Sequence, residues 1–187
     1  AFKLINHLYF RLSLKGRENI PANGPFIIAP NHESFLDAPM VTSGLSWDTI
    51  RNTYFYATEE HFNTAFKRSV AHGSNVILMQ KSDLKSSIQY MAQALRAGKN
   101  LMIFPEGRRT NTGEMGDFKK TFAILAKELR VPIVPVRITG AFEALPRHKS
   151  FPRPSKVTVE YLPAVMPDVT KSYDEIAEQV KKIIAQD

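Results

Sequence analysis

Short apolar runs alternate along the chain with longer stretches whose apolar residues recur at helical spacing. Several runs are bounded by proline or glycine, and such runs are typical of strands buried in a sheet. They predict strands at residues 26–29, 53–58, 75–79, 101–104, 131–138 and 157–162.

The longer stretches predict amphipathic helices, beginning with an N-terminal one and another over about residues 36–45. Ser82 or Asp83 can cap the helix expected over 84–95, and Asp117 can cap the helix expected over 118–129. Ser172 with Glu175 forms a capping box for the last helix. The predicted apolar faces consist of Phe2, Ile5, Tyr9 and Leu12; Phe62, Ala65, Phe66, Ser69 and Val70; Leu84, Ile88, Met91, Ala92 and Leu95; Phe118, Phe122, Leu125, Ala126 and Leu129; and Tyr173, Ile176, Ala177, Val180, Ile183 and Ile184.

The alternation of strands and helices predicts an α/β fold, a three-layer domain with a mostly parallel mixed sheet flanked by helices. The strand at 131–138 contains Pro132 and Pro135. Because proline lacks the ladder donor, this strand is expected at a sheet edge or at a bulge. Sites in such folds lie at the carboxyl ends of strands, and two polar loops occur there, at 31–37 and 105–116.

Composition adds positive charge and removes cysteine chemistry. The 187 residues include 25 Lys and Arg against 18 Asp and Glu, a formal net charge of +7, and no cysteine. Disulfides, thiolate metal sites and a cysteine nucleophile are therefore excluded. The charge points to an anionic partner, either nucleic acid, a phospholipid surface or a phosphorylated small molecule, unless it only forms a solvated surface. Nucleic acid is disfavoured, because the chain has no recognition motif.

The first loop carries a histidine and an aspartate five positions apart, His32 and Asp37. Histidine can act as a base near neutral pH, and a carboxylate on its other ring nitrogen fixes the tautomer and stabilises the imidazolium. The competing interpretation is an aspartate helix cap beside a surface histidine. A zinc site is disfavoured, because the zincin motif requires histidine where Leu36 stands.

The second loop and the helix after it suit a phosphate group. Gly107 frees the backbone, and Arg108 and Arg109 offer forked donors. Lys119 and Lys120 lie in the first turn of the expected helix, where a cation opposes the helix dipole unless an anion binds nearby. The competing interpretation is that these side chains only point into water. A base beside a phosphate clamp favours direct attack by an alcohol of a phosphorylated substrate.

At these loops the chain resembles the glycerolipid acyltransferases, the family of lysophosphatidic acid acyltransferases. Residues 31–37 match the family motif N-H-x-x-x-x-D, 104–109 match F-P-E-G-x-R, and 131–136 match V-P-[IV]-[IV]-P-V, in the family's order. The resemblance covers about residues 1–165. The family's second motif departs from the pattern, because its arginine is missing and Lys81 supplies only a point charge there.

The resemblance implies a glycerol-3-phosphate acyltransferase-like fold and an O-acyltransferase. Its members transfer a fatty acyl group from acyl-CoA or acyl carrier protein to a lysophospholipid hydroxyl, here 1-acyl-sn-glycerol-3-phosphate, which gives phosphatidic acid. It implies that His32 is the general base, that Asp37 orients it, and that no metal or cofactor is needed. The residues that it implies for substrate binding are Lys81, Glu106, Gly107, Arg108, Arg109, Lys119 and Lys120.

The expected partners are the acyl donor, the lysophospholipid acceptor and an anionic membrane surface. No apolar run reaches the roughly 18 residues of a spanning helix, so we expect a peripheral position on the cytoplasmic face of a membrane. Residues 1–187 are expected to form a single acyltransferase domain, excised from a longer or fused protein in one version of this hypothesis. The alternatives are an acyltransferase for another lysophospholipid, such as lysophosphatidylethanolamine, fused to an acyl-activating enzyme, and a non-catalytic phospholipid-binding domain.

Overall fold

The computed structural model describes residues 9–58, 75–79 and 84–186, and these residues contain a seven-stranded sheet. The strands are β1 Ser13–Lys15, β2 Ile27–Pro30, β3 Thr53–Thr58, β4 Val76–Met79, β5 Asn100–Met102, β6 Ile133–Thr139 and β7 Thr158–Tyr161. Along the sheet the order is β1-β7-β6-β2-β5-β3-β4, and every neighbouring pair is parallel except β6 with β7.

Helices cover both faces of this sheet. They are α1 Asp37–Ser43, α2 Trp47–Arg51, α3 Leu84–Arg96, α4 Thr121–Leu129, α5 Ala141–Ala144 and α6 Tyr173–Ala185, with a 3-10 helix at Arg17–Asn19. Apolar side chains of α3, α4 and α6 pack on one face, and those of α1 and α5 pack on the other. The predicted three-layer α/β domain with a mostly parallel mixed sheet is therefore confirmed.

Strand β6 lies in the interior of the sheet, between β2 and β7, so the expectation of an edge strand is wrong. The alternative expectation, a bulge, is met only on the side of β7, and the extra residue lies in the segment after β7 and not in β6. Val136 pairs with Tyr161, and the N–H of Leu162 donates to the carbonyl of Pro135 at 2.9 Å, so Pro135 keeps its ladder position as an acceptor. Ile133 then pairs with Val165, so one residue of β6 stands opposite two of the neighbouring segment. Proline supplies no return donor, and the carbonyl of Leu162 therefore receives no ladder hydrogen bond from this position.

Helix α4 begins later than its sequence suggests. Asp117 does not cap it, because Lys120 occupies the N-cap position and makes no side-chain cap. Asp117 instead accepts a hydrogen bond from Lys181 Nζ at 2.8 Å. The N–H of Lys119 donates to the carbonyl of Pro105 at 2.9 Å, which holds the residues before the helix against the second loop. The capping box of α6, from Ser172 to Glu175, is confirmed.

Several predictions fall outside the described residues. They are the first positions of the N-terminal helix, Phe2 and Ile5, the helical face at 62–70, and the caps Ser82 and Asp83. The remaining two positions of the N-terminal face are described, and Tyr9 lies in a turn while Leu12 has no regular secondary structure, so neither is helical. Among the helices that the structure describes, none combines the length and the apolar character needed to cross a membrane.

Candidate active site

The two polar loops meet because their strands are neighbours in the sheet. β2 lies between β5 and β6, and the three strands run parallel, so the chain leaves all three at the same edge. The backbone of His32 joins the loops directly. Its N–H donates to Glu106 Oε1 at 2.7 Å, and its carbonyl accepts from the N–H of Thr110 at 2.9 Å.

His32 and Asp37 form a hydrogen-bonded pair. His32 Nδ1 lies 2.8 Å from Asp37 Oδ2, and the same oxygen accepts the N–H groups of Glu33 at 2.7 Å and Ser34 at 2.8 Å. The backbone of the first loop therefore aims this oxygen at the histidine. Because an ionised carboxylate can only accept hydrogen bonds, Nδ1 carries the proton and Nε2 keeps its lone pair.

Asp37 lies in an apolar setting that destabilises its charge. The side chain is fully buried, and burial raises the pKa of its carboxyl, against the lowering effect of the hydrogen bond from His32. Its second oxygen, Oδ1, is buried with no hydrogen-bond partner among the described residues. A carboxylate held in this way gains stabilisation when a positive charge forms on the imidazole.

The imidazole of His32 is also held from the side of the second loop. Its ring stacks on Phe104 with 4.0 Å between the ring centroids and 22° between the planes. The side chain is 18% exposed, so the ring is fixed yet reachable from solvent. Phe104 directly precedes the polar part of the second loop, and the sequence pattern alone had suggested only the end of a strand.

Two further polar side chains anchor the first loop to the end of β6 and to the chain after it. Asn31 Oδ1 accepts the N–H of Ile138 at 2.7 Å, and its Nδ2 donates to the carbonyl of the same residue at 2.9 Å. Glu33 Oε2 accepts the N–H groups of Ala141 and Phe142, both at 3.0 Å. Burial raises the pKa of Glu33 to about 7. Glu33 was not among the residues predicted from the sequence, because an isolated glutamate in a loop carries no signal of burial.

Glu106 acts as a bridge between backbone segments. One oxygen accepts from His32, and Oε2 accepts the N–H of Gly116 at 2.7 Å. Burial raises the pKa of Glu106, and these two hydrogen bonds oppose the shift. Both carboxylate oxygens are thus used to order the loops.

A cleft of about 640 Å³ lies along the second loop and the residues before α4, and its lining falls within residues 106–119. Four of the residues predicted to bind substrate line it: Glu106, Arg108, Arg109 and Lys119. Arg108 is exposed and Arg109 is half-buried. Burial lowers the pKa of Arg109, the guanidinium of Arg147 lowers it further, and the carboxylate of Asp37 acts in the opposite direction. The charge of Arg109 therefore interacts with the carboxylate of the histidine–aspartate pair.

The other predicted binding residues divide into three cases. Gly107 has φ +68°, which strains any other residue, and a Cβ there would lie 2.7 Å from Lys119 Nζ and displace the end of that side chain. Lys120 lies outside the lining of the cleft, and its Nζ is 3.4 Å from Asp174 Oδ2. Lys81 is outside the described residues.

Arg147 belongs to the same edge of the sheet, although the sequence analysis did not select it. It follows β6 and α5, and its Nη1 lies 3.4 Å from Oδ1 of Asn111, which lines the cleft. A basic residue in the connection after the third of three adjacent parallel strands is the signal that could have identified it. Within the described part of the chain, no group of three or more His, Cys, Asp or Glu could hold a metal ion.

Comparison with known proteins finds several 1-acyl-sn-glycerol-3-phosphate acyltransferases among the relatives of this chain. The chain is 26% identical over 143 residues to the 1-acyl-sn-glycerol-3-phosphate acyltransferase BAT2, chloroplastic, of Brassica napus. The matched region covers 74% of this chain and 40% of that protein. It is 36% identical over 111 residues to the 1-acyl-sn-glycerol-3-phosphate acyltransferase of Limnanthes alba, covering 57% of this chain and 39% of that protein. The chain thus spans about two fifths of the length of these curated relatives.

A solved structure shares the whole fold. The crystal structure of the 1-acyl-sn-glycerophosphate acyltransferase PlsC from Thermotoga maritima matches with a TM-score of 0.80 and 25% identity, over 98% of this chain and 76% of that one. The model of the family named Acyltransferase matches residues 11–139, which include both polar loops and β6. The resemblance noted from the motifs is confirmed: this chain belongs to the Acyltransferase family.

Proposed function

We propose that this chain transfers a fatty acyl group from an acyl thioester to the free hydroxyl of 1-acyl-sn-glycerol-3-phosphate, giving phosphatidic acid. Residues 1–187 would act as one acyltransferase domain. The observation that carries the proposal is the 2.8 Å contact between His32 Nδ1 and Asp37 Oδ2, with that oxygen held by two backbone N–H groups. A protein that only bound phospholipid would have no use for a histidine prepared as a base.

In the proposed reaction, His32 Nε2 removes the proton of the acceptor hydroxyl while the hydroxyl oxygen attacks the thioester carbonyl. A new C–O bond forms, the C–S bond breaks, and the proton passes from the imidazolium to the leaving thiolate. Asp37 stabilises the imidazolium through Nδ1. General base catalysis of this kind contributes about 10²–10⁴-fold to the rate.

The acceptor's phosphate would bind in the cleft beside the second loop. Arg109 and Arg108 offer forked donors there, and Lys119 adds a point charge. Lys120 and Lys81 stay predictions as additional phosphate contacts. The donor would be acyl-CoA or acyl carrier protein, and the chain would work on the cytoplasmic face of a membrane as a peripheral protein attracted by anionic lipid.

The test is acyl transfer, followed as thiol release, with acyl-CoA and acyl carrier protein as donors and a panel of lysophospholipid acceptors. We expect the highest kcat/KM with 1-acyl-sn-glycerol-3-phosphate, and loss of about 10²–10⁴-fold in kcat in His32→Ala and in Asp37→Asn. The second variant keeps an acceptor oxygen for the backbone and lacks the charge that stabilises the imidazolium.

A matched control separates chemistry from folding. Asp48 is exposed, so Asp48→Asn should transfer acyl groups at the rate of the unchanged chain. All three variants are first compared by thermal melting. Normal turnover by folded His32→Ala protein would refute the proposed base, and preference for a lysophospholipid without a phosphate monoester would refute the proposed acceptor.

A further inference from the structure

Residues 147–156, called here the basic segment, form an exposed connection between α5 and β7 with no regular secondary structure. The segment reads RHKSFPRPSK, with four lysines and arginines and no acidic residue. Arg147, Lys149, Arg153 and Lys156 are all exposed. This concentration of positive charge is what an anionic surface attracts.

An aromatic side chain projects from the middle of these charges. Phe151 is 82% exposed, and it is followed by Pro152. The carbonyl of Pro152 accepts a hydrogen bond from the hydroxyl of Tyr9 at 3.0 Å, and Tyr9 is itself 38% exposed. An exposed phenylalanine in a basic setting suits a phospholipid surface, because the charges reach headgroups while the ring enters the boundary of the acyl chains.

The beginning of the described chain extends this charged face. The N–H of Val157 donates to the carbonyl of Phe10 at 3.0 Å, and the N–H of Ser13 donates to the carbonyl of Val157 at 2.9 Å. These bonds bring Arg11, which is exposed, beside the end of the basic segment. The charge is therefore contributed by two parts of the chain that the fold joins.

The basic segment is also attached to the candidate active site. Ser34 of the first loop donates from Oγ to the carbonyl of Leu145 at 2.9 Å. Arg147 reaches Asn111 in the lining of the cleft. A lipid surface that contacts the segment would consequently lie at the edge of the sheet that carries His32.

We propose that the basic segment, with Arg11 and Tyr9 beside it, is the surface on which this chain docks to an anionic phospholipid bilayer, with Phe151 inserted among the lipids. The proposal rests on the proposed function, since it names the surface through which a membrane-resident acceptor would be reached. An acidic protein, such as an acyl carrier protein, fits the charge but gives no reason for an exposed phenylalanine.

The experiment is co-sedimentation of the chain with vesicles of phosphatidylcholine alone and of phosphatidylcholine mixed with phosphatidylglycerol. Two variants alter the segment, Phe151→Ser and the double substitution Lys149→Glu with Arg153→Glu. The controls are Tyr90→Ser and Lys85→Glu with Arg96→Glu, which make the same changes at exposed positions of α3, on the opposite helical layer of the fold. Thermal melting establishes that each variant is folded.

We expect binding to the anionic vesicles, weakened by salt, and little binding to neutral ones. Each basic residue near the bilayer contributes about fivefold, so the double variant should lose about 30-fold or more in affinity. Loss of the ring should cost about tenfold. The α3 controls should bind within about twofold of the unchanged chain, apart from the long-range effect that salt screens.

Three results would overturn the proposal. One is unchanged vesicle binding by both segment variants. Another is equal weakening by the segment and α3 charge variants, which would mean that only net charge matters. The third is normal vesicle binding together with a raised KM for acyl carrier protein alone, which would assign the segment to a protein partner.

Acyl transfer to a short-chain, monomeric acceptor without vesicles is measured in parallel. Activity there that is equal in all the variants, together with weakened vesicle binding by the segment variants, is the expected pattern. A chain that docks as expected and transfers no acyl group would refute the proposed function and leave the docking surface standing. The failures of the two proposals are therefore distinguishable.

Discussion

Glu106 is the side chain at which a small chemical change should disturb both stability and catalysis. Each of its oxygens accepts one buried backbone N–H, from His32 and from Gly116, at 2.7 Å. In Glu106→Gln one of these oxygens becomes an amide NH₂ group, which cannot accept. One of the two N–H groups then faces another donor, whatever the orientation of the amide.

The magnitude follows from that unsatisfied donor. Leaving a buried N–H without its acceptor costs about 1–3 kcal/mol. For a domain of about this size, each kcal/mol lowers the melting temperature by about 2–4 °C, so we expect a fall of about 4–8 °C for a loss of about 2 kcal/mol. If the amide turns its NH₂ toward His32, the first loop is displaced. A shift of about 1 Å in a catalytic group can lower kcat by about 100-fold.

The assay combines thermal melting with acyl transfer and amide hydrogen exchange of the 31–37 loop. Glu178→Gln is the matched control, because Glu178 is an exposed carboxylate of α6 outside the lining of the cleft. It makes the identical change in charge and should leave melting temperature and kcat unaltered. If Glu106→Gln melts within about 1 °C of the unchanged chain and keeps its kcat, the two hydrogen bonds of Glu106 do not contribute to the free energy of unfolding or to catalysis. That result would refute the prediction.

Two further predictions concern charge in and beside the site. Arg109→Lys should raise the acceptor KM by about tenfold and leave the donor KM unchanged, because lysine loses the bidentate geometry. Arg108→Lys changes the exposed arginine and should raise the acceptor KM less. Steady-state kinetics with each substrate varied in turn measures both effects. Burial raises the pKa of Glu33 from 4.5 to about 7, so between these pH values the folded chain holds a proton that the unfolded chain has lost. The free energy of unfolding therefore falls as the pH rises from 4.5 to about 7. Melting of Glu33→Gln between pH 4.5 and pH 8 should lack this fall, which is worth about 3 kcal/mol in the unchanged chain, and equal pH dependence of the two proteins would contradict the burial argument.

Periodicity predicted the layers of this fold well because strands and helices leave their own spacing in the sequence. The ends of the predicted strands that are described agree with the structure within about two residues. What periodicity misses are elements with too few residues to repeat. β1 is Ser13–Lys15 and α5 is Ala141–Ala144, and each is held in place by neighbours that are distant in sequence.

The position of β6 was mispredicted for a different reason. A proline removes one donor, and the sequence cannot say whether a partner exists on that side of the strand. Here Pro135 still accepts the N–H of Leu162 with its carbonyl, and the register shifts directly beyond it, so the strand is central although it lacks one donor. Asp117 is a comparable case, because its capping chemistry was judged locally while its actual partner, Lys181, lies on α6.

The residues proposed to carry chemistry were predictable where they belong to a family motif, and the residues that hold them in place were not. His32 and Asp37 were paired through the motif that they match, because their spacing alone left open an aspartate cap beside a surface histidine. Glu33 and Arg147 act across the edge of the sheet, on partners that only the order β5-β2-β6 brings together. Their roles depend on burial and proximity, which have no periodic signature.

The way the loops are joined bears on the proposed selectivity for a phosphate-bearing alcohol. The backbone of His32 is held at both its N–H and its carbonyl by the loop that carries Arg109. Asp37, which contacts the histidine ring, is at the same time close enough to influence the pKa of Arg109. Held together in this way, the proposed base and the proposed phosphate-binding arginine would not adjust independently to the substrate. This arrangement would therefore favour acceptors whose hydroxyl lies at a fixed, short reach from the phosphate, as it does on a glycerol phosphate. An acceptor with the same phosphate on a longer linker should bind with little change in KM and react with a much lower kcat, because only the hydroxyl is misplaced.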